Sequence, residues 1–392
     1  NRGPRPRAPT GSCQPQIDFG MSFSFQNMNA LCVNWERTSF SKAFELIRQT
    51  RKLKSSEIEE IGSFPVIDQG QGLIAGFTND ADGLIKGGEG LIIFGDHTRE
   101  LKFVDFDFVP GADGIKILKP VKALDLKFAF YFLQSQDLPN EGYSRHFKYL
   151  KALEVPLPPL EEQKRIAGIL DEADRVRKKT QALIDKYDEL AQSLFLDMFG
   201  DPVTNPKGWE VKPLGELFQI STGKTPSTKD SENFNGNIPF VTPPDFNSDD
   251  ETDRFLSEKG AAQSRIVPKG SLLVTCIGSI GKTKIVDLPS CFNQQINAIE
   301  IGSGWHPEVL ELAVQGMRSV LEAAASATTV PILNKGNFQK IKVFVPPAEL
   351  QESFTSRYRQ IQRSVGELKS GKEQGQALFN ALLQKAFKGE LN

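Results

Sequence analysis

The chain repeats itself, and the repeat limits what it can fold into. Trp35-Glu36 followed by Phe40, Phe44 and Leu46 is answered by Trp209-Glu210 followed by Leu214, Phe218 and Ile220, at a constant offset of 174 residues. The segment Val155-Pro156-Leu157-Pro158-Pro159-Leu160-Glu161-Glu162-Gln163 is answered by Val343-Phe344-Val345-Pro346-Pro347-Ala348-Glu349-Leu350-Gln351 at an offset of 188, so insertions separate the copies. In both places a short β-like run stops at a proline pair and a pattern of period 3.5 begins. Prolines suit that boundary, because they end a strand and leave the next segment free to start a helix. A duplicated unit of block plus helix follows.

After Pro159 the apolar positions Ile166, Ile169, Ala173, Val176, Leu183, Tyr187, Leu190 and Leu194 alternate in steps of three and four, with Thr180 the polar exception. After Pro347 the same spacing holds at Phe354, Tyr358, Ile361, Val365, Leu368, Phe379, Leu382 and Ala386. Each run is about 40 residues, or roughly 60 Å of helix. Spacing sustained this long predicts a coiled-coil seam, with Val176, Leu183, Leu190, Ile361, Val365 and Leu368 packing helix on helix and Arg177, Lys178 and Arg363 facing outward. Gly366, Gly371 and Gly375 leave two readings of the second helix open: a break near 371–375, or close helix approach at the glycines.

The sequence divides into an arm without fixed structure (1–33), a first block (34–159), a spacer helix (160–200), a second block (201–347) and a C-terminal spacer helix (348–392). The true start is expected at Met21 or Met28. Both blocks mix strand-like runs, such as Leu91-Ile92-Ile93-Phe94 and Leu272-Leu273-Val274-Thr275, with short helical runs at 122–134 and 306–325. The fold class is therefore α+β: two mixed α/β domains in pseudo-twofold arrangement, separated by two long antiparallel coiled-coil helices. Such a chain would act as a ruler with a reader at each tip.

Composition excludes several classes. With 39% hydrophobic and 24% charged residues and no apolar stretch near the roughly 20 residues of a membrane span, the body reads as soluble. Cys13, Cys32, Cys276 and Cys291 form no C-x-x-C pair, and three histidines offer no ligand spacing. Neither a disulfide framework nor a zinc site is expected, and the usage suits a cytoplasmic protein. The first block carries 16 basic against 18 acidic residues over 35–159, the second 13 against 15 over 209–347. That balance argues mildly against phosphate binding by this chain alone, unless partners supply basic surface.

No catalytic signature survives inspection. Gly278-Ser279-Ile280-Gly281-Lys282-Thr283 ends like a nucleotide-binding loop, but Cys276 stands where that motif needs glycine. Asp96-His97 lacks partner ligands or a nucleophile elbow. Pro243-Pro244-Asp245-Phe246 has the wrong order for an amino-methyltransferase. Against a fused methyltransferase or nuclease stands the absence of these signatures, and against a bare coiled-coil adaptor stand the two large blocks.

These residues resemble the specificity subunits of type I restriction-modification enzymes. The resemblance rests, in the first block, on Phe64-Pro65-Val66-Ile67-Asp68, Ile93-Phe94-Gly95-Asp96-His97-Thr98-Arg99, Gly111-Ala112-Asp113-Gly114 and Gly142-Tyr143-Ser144-Arg145-His146-Phe147. In the second it rests on Gly223-Lys224-Thr225-Pro226, Ile238-Pro239-Phe240-Val241-Thr242, Pro268-Lys269-Gly270-Ser271, Ile280-Gly281-Lys282 and Asn293-Gln294-Gln295, with Met198-Phe199-Gly200-Asp201-Pro202 and Asn205-Pro206-Lys207-Gly208-Trp209 between the blocks. It implies that each block is a target-recognition domain reading one half of a split sequence in double-stranded DNA. The helices would set the unread spacing and bind two methyltransferase subunits, with motor-nuclease restriction subunits joining the complex. Methyl donor, ATP and magnesium would belong to those partners, and this chain would hold no cofactor, metal or catalytic residue. The first block departs from the pattern, since its opening Trp segment runs into Arg48, Arg51, Lys52 and Lys54 rather than a Gly-Lys-x-Pro turn.

Candidate DNA contacts follow from donor chemistry. In the first block they are Arg99, Arg145, His146 and Lys148, where arginine bridges guanine O6 and N7 and lysine or histidine binds phosphate. In the second they are Lys224, Thr225, Lys282, Thr283, Gln294, Gln295, Asn334 and Lys335. For each, pairing within its own domain is the competing reading, with Asp96 the nearest acid to the first group.

Overall fold

The computed structural model describes residues 35–111, 114–142, 144–247, 252–326 and 329–391. The N-terminal arm, with Cys13 and Cys32, lies outside them. The chain divides into two compact units: Asn1–Glu172 with Leu378–Asn392, and Ala173–Ala377.

In the first unit the strands are β1 (Arg37–Ser39), β2 (Phe44–Ile47), β3 (Phe64–Ile67), β4 (Gly76–Thr78), β5 (Leu91–Gly95), β6 (Leu101–Val104), β7 (Val109–Pro110), β8 (Ile115–Pro120) and β9 (Glu154–Pro156). They form a four-stranded sheet β2-β8-β5-β6, a three-stranded sheet β4-β3-β7 and the antiparallel pair β1-β9. All five residues of β5 are buried, which explains why its sequence is apolar throughout instead of alternating: β8 and β6 flank it and both of its faces are covered. Helix Leu126–Gln134 begins at Asp125, whose carboxylate accepts from the Phe128 N–H at 2.9 Å.

The second unit repeats the topology. Its strands are β10 (Glu210–Pro213), β11 (Gln219–Thr222), β12 (Phe234–Val241), β13 (Phe255–Leu256), β14 (Ile266–Val267), β15 (Leu272–Thr275), β16 (Thr283–Ile285), β17 (Ser290–Phe292), β18 (Ile296–Glu300) and β19 (Lys342–Val345). The sheets are β11-β18-β15-β16, β13-β12-β17-β14 and β10-β19. Strand for strand, β10-β19 matches β1-β9, and β11-β18-β15-β16 matches β2-β8-β5-β6. Even the single parallel pairing of each unit corresponds, β3 with β7 and β12 with β17; β14 is the added strand. The helical run at 306–325 is two helices, Pro307–Gly316 and Arg318–Ala323.

Two long helices follow the proline pairs, Leu160–Phe199 and Ala348–Lys388. Glu161, Glu162 and Glu349 lie in their first turns and Lys385 and Lys388 in the last turn of the second, as the helix dipole favours. The first stops at Gly200, a left-handed residue (φ 83°) whose N–H returns to the Leu196 carbonyl at 2.8 Å. Within the first unit, Phe128 and Phe132 of helix Leu126–Gln134 pack on Phe387 at 5.2 and 5.6 Å between ring centroids, and Tyr131 on Phe379 at 6.1 Å. Within the second, Phe199 meets Phe354 at 5.3 Å while Arg177 meets Gln376, so the helices run antiparallel there.

The seam is not the one the apolar spacing selects. Val176, Leu183 and Leu190 are 51%, 43% and 50% exposed. The buried line runs instead through Leu170, Asp174, Ile184, Ala191, Phe195 and Phe199, with half-buried Arg177 on it. A slip of one residue turns a helix by about 100°, and polar Asp174 and Arg177 on the inward line disguise it. Arg177 consequently does not face outward: it bonds Asp174 and Gln376. On the second helix Val365 is buried, and Ile361 and Leu368 are half-buried. That helix passes unbroken through Gly366, Gly371 and Gly375, and a Cβ at any of the three would meet nothing within 4 Å. Neither a break nor a close approach explains these glycines.

Candidate nucleic-acid interface

One end of the four-stranded sheet gathers most of the residues that sequence reasoning selected. In the second unit β11 and β15 finish at this end and β18 and β16 start from it. Four connections therefore meet there: the segment after Thr222, the Gln294-Gln295 turn, the loop Cys276–Lys282, and the stretch leading into helix Lys335–Lys340. Hydrogen bonds knit them together. Lys224 N–H donates to the Phe292 carbonyl at 2.9 Å, Cys276 N–H to the Gln295 carbonyl at 2.8 Å, and Leu333 N–H to the Cys276 carbonyl at 2.8 Å.

The first unit builds the same end from β2, β8, β5 and β6. Arg48 follows β2, Gly114 precedes β8, and the turn 96–100 joins β5 to β6. The Asp96 N–H donates to the Gly114 carbonyl at 2.5 Å, and the Asp96 carbonyl accepts from the His146 N–H at 2.8 Å. His146 N–H to Asp96 and Leu333 N–H to Cys276 are the same contact in the two repeats.

Individual side chains divide sharply. Arg145, Lys224 and Lys335 are exposed and have no side-chain partner among the described residues. Arg99 adopts a left-handed backbone (φ 65°) at the turn, and its Nη1 donates to the Leu138 carbonyl at 2.9 Å. Lys148 is exposed and ion-paired to Glu141 at 2.8 Å, which raises the affinity of the ammonium for its proton. Lys282 is tied to the Asn247 side-chain oxygen. Thr225 Oγ1 donates to Gln294 Oε1 at 2.7 Å, and Gln295 Oε1 accepts from Asn293 at 3.0 Å.

Three selected residues have internal work instead. His146 is fully buried; its Nδ1 lies 3.0 Å from the Asp96 carbonyl and its Nε2 accepts from the Glu141 N–H at 3.3 Å, so it tethers the loop and cannot meet DNA. Asn334 caps helix Lys335–Lys340, accepting from Asn337 N–H at 2.9 Å. Thr283 turns toward helix Pro307–Gly316, donating to Glu311 at 3.1 Å and accepting from Gln315 at 2.8 Å. Glu311 is pushed up to about 7, first by burial and further by Glu308, against the Thr283 bond. Asn247, which orients Lys282, escaped sequence reasoning because no motif ties it to a loop 35 residues away.

A pair of topologically equivalent units, each offering polar loops at one end of a sheet and joined through long helices, defines a duplicated recognition protein. The family model described as type I restriction modification DNA specificity domain matches residues 33–186 and again 206–374, and the chain belongs to that family. It is similar to the type I restriction enzyme HindI specificity subunit of Haemophilus influenzae, 35% identical over 37% of this chain and 33% of that one. It is also similar to the EcoR124I/EcoR124II specificity subunit of Escherichia coli, 26% identical over 63% of this chain and 66% of that one. The matched stretches thus span from a third to just under two thirds of these relatives. In fold it resembles the crystal structure of a type I restriction-modification S subunit from M. genitalium, with a TM-score of 0.58 and 19% identity over 92% of this chain and 97% of that one.

Proposed function

We propose that this chain is the DNA-reading subunit of a type I restriction-modification complex, each unit reading one half of a bipartite target in double-stranded DNA. The observation that carries this reading is the recurrence of one loop-bearing sheet end in two units of equivalent topology but different side chains. Equivalent frames present different donors, Arg99 and Arg145 against Lys224, Lys282 and Gln294, so the two half-sites differ in sequence.

The long helices serve as spacer. A fixed helical length sets the distance and rotational phase between two groove-reading surfaces, for which one turn of DNA is about 34–36 Å. The exposed apolar line Val176, Leu183, Leu190 gives two methyltransferase subunits a helical docking face, and motor-nuclease subunits join them in the restricting complex. The chain itself is noncatalytic: methyl donor, ATP and magnesium act in the partners, in the cytoplasm. Among the described residues no helix is long and apolar enough to cross a membrane.

The test is block exchange. Replacing residues 209–347 with the corresponding block of a relative, and mapping methylated sites in the assembled complex, is expected to change one half-site and leave the other intact. A change in both halves, or in neither, overturns the reading.

A further inference from the structure

Gln163 and Gln351, 188 residues apart, make the same three hydrogen bonds. Gln163 is 1% exposed; its Oε1 accepts from the Asp125 N–H at 2.7 Å, and its Nε2 donates to the Ala123 and Pro158 carbonyls at 3.0 and 2.8 Å. Gln351 is 1% exposed; its Oε1 accepts from the His306 N–H at 3.1 Å, and its Nε2 donates to the Gly304 and Pro346 carbonyls at 3.4 and 3.0 Å. Each amide thus grips the residue that opens a short helix, the carbonyl two residues before that one, and the carbonyl five residues before itself.

The short helices so gripped, Leu126–Gln134 and Pro307–Gly316, pack on the recognition sheets. The second touches β16 through Thr283, which accepts from Gln315 and donates to Glu311. A line of contact therefore runs from the first turn of a long helix, through one glutamine, to the helix that backs the reading sheet. Replacing this joint by apolar packing would keep the fold's volume while freeing the angle, because hydrogen bonds are directional and apolar contacts are not.

We propose that Gln163 and Gln351 are positioning residues that fix the direction in which each reading end points from its long helix, and thereby the length of the unread gap. The inference rests on the proposed DNA-reading function. It assigns gap discrimination to two side chains that touch no base.

The test uses the full chain assembled with its methyltransferase partner and three duplexes carrying both half-sites at the cognate gap and at one base pair shorter and longer. Gln163→Met and Gln351→Met keep side-chain volume and remove the amide. Each is expected to raise methylation of the off-gap duplexes relative to the cognate one by roughly tenfold, the scale of one mismatched base pair, while the bases read within each half-site stay the same. An unchanged off-gap ratio, with or without a uniform loss of activity, overturns the proposal. Should a methionine variant fail to fold, Gln163→Asn and Gln351→Asn, which keep the neutral amide but fall one methylene short of its partners, carry the same readout. Unmodified protein that methylates without regard to half-site sinks the underlying function; unmodified protein with a strict gap and variants that share it sink the positioning role alone.

Discussion

Arg177 and Gln376 are joined across the two long helices, Nη1 donating to Oε1 at 2.7 Å. The same guanidinium holds Asp174 with Nε at 3.1 Å and Nη2 at 2.5 Å, and Lys178 reaches the other carboxylate oxygen at 2.7 Å. Burial pushes the Asp174 carboxyl up, and the bonds from Lys178 and Arg177 more than reverse it, leaving it below the usual carboxylate range. Arg177→Ala leaves the Asp174 side chain, 12% exposed, held by Lys178 without its guanidinium partner and is expected to cost about 1–3 kcal/mol. A carboxyl held low in the folded state contributes stability above its ordinary value and loses it as pH falls through the folded one. In the variant the folded carboxyl moves back toward its ordinary value, so this acid loss should shrink and the stability gap between the native protein and the variant should narrow as pH falls, as urea melts between pH 3 and 7 would show.

Phe379 closes the apolar face of helix Leu126–Gln134 and is 1% exposed. Phe379→Ala is expected to cost about 3–5 kcal/mol. Hydrogen exchange should quicken in residues 126–134 and leave β15 and β18 protected; equal quickening in both units would refute the division into separate cores.

Glu311, held up to about 7 against an ordinary 4.5, makes the opposite pH signature to Asp174. The folded state keeps a proton that the unfolded chain gives up, so stability falls as pH rises from about 4.5 to about 7 and then levels. Tyr358, pushed up to about 12 by burial and then by Glu311, Glu308 and Asp188, marks the same surroundings as hostile to negative charge. Glu311→Gln should remove the slope and raise stability at pH 8 by an amount on the order of 1–3 kcal/mol. Melting temperatures from pH 4 to 8 check it, and an unaltered slope would assign the titration elsewhere.

Lys224 and Lys282 lie at the loop end of the second sheet. If they meet phosphate, Lys224→Ala and Lys282→Ala each weaken DNA binding about equally for all sequences and lower the slope of log K against log salt by about one. Loss confined to one base position would instead make the altered lysine a base reader.

The duplication was legible because it is written in residues with strong backbone consequences. Trp209 ties its indole to the Phe199 carbonyl at 2.8 Å, and the proline pairs end β9 and β19. The seam was not legible: the helices bury Asp174 and half-bury Arg177 while exposing Val176, Leu183 and Leu190, and hydrophobicity alone chooses the wrong line. The candidate interface was readable as a set of loops, whereas the fate of each side chain depended on distant partners, Asp96 for His146 and Glu311 for Thr283. Gln163 and Gln351 stood within the repeated motif, but their bonds reach 40 and 47 residues back along the chain.

The first unit is completed by residues that follow the whole second unit in the chain, Leu378–Asn392. Phe379 and Phe387 reach helix Leu126–Gln134 only after everything between has been synthesised. During synthesis the earlier lobe therefore stays unfinished until the later one has been made, and a stop codon at Leu378 would cripple the half encoded first.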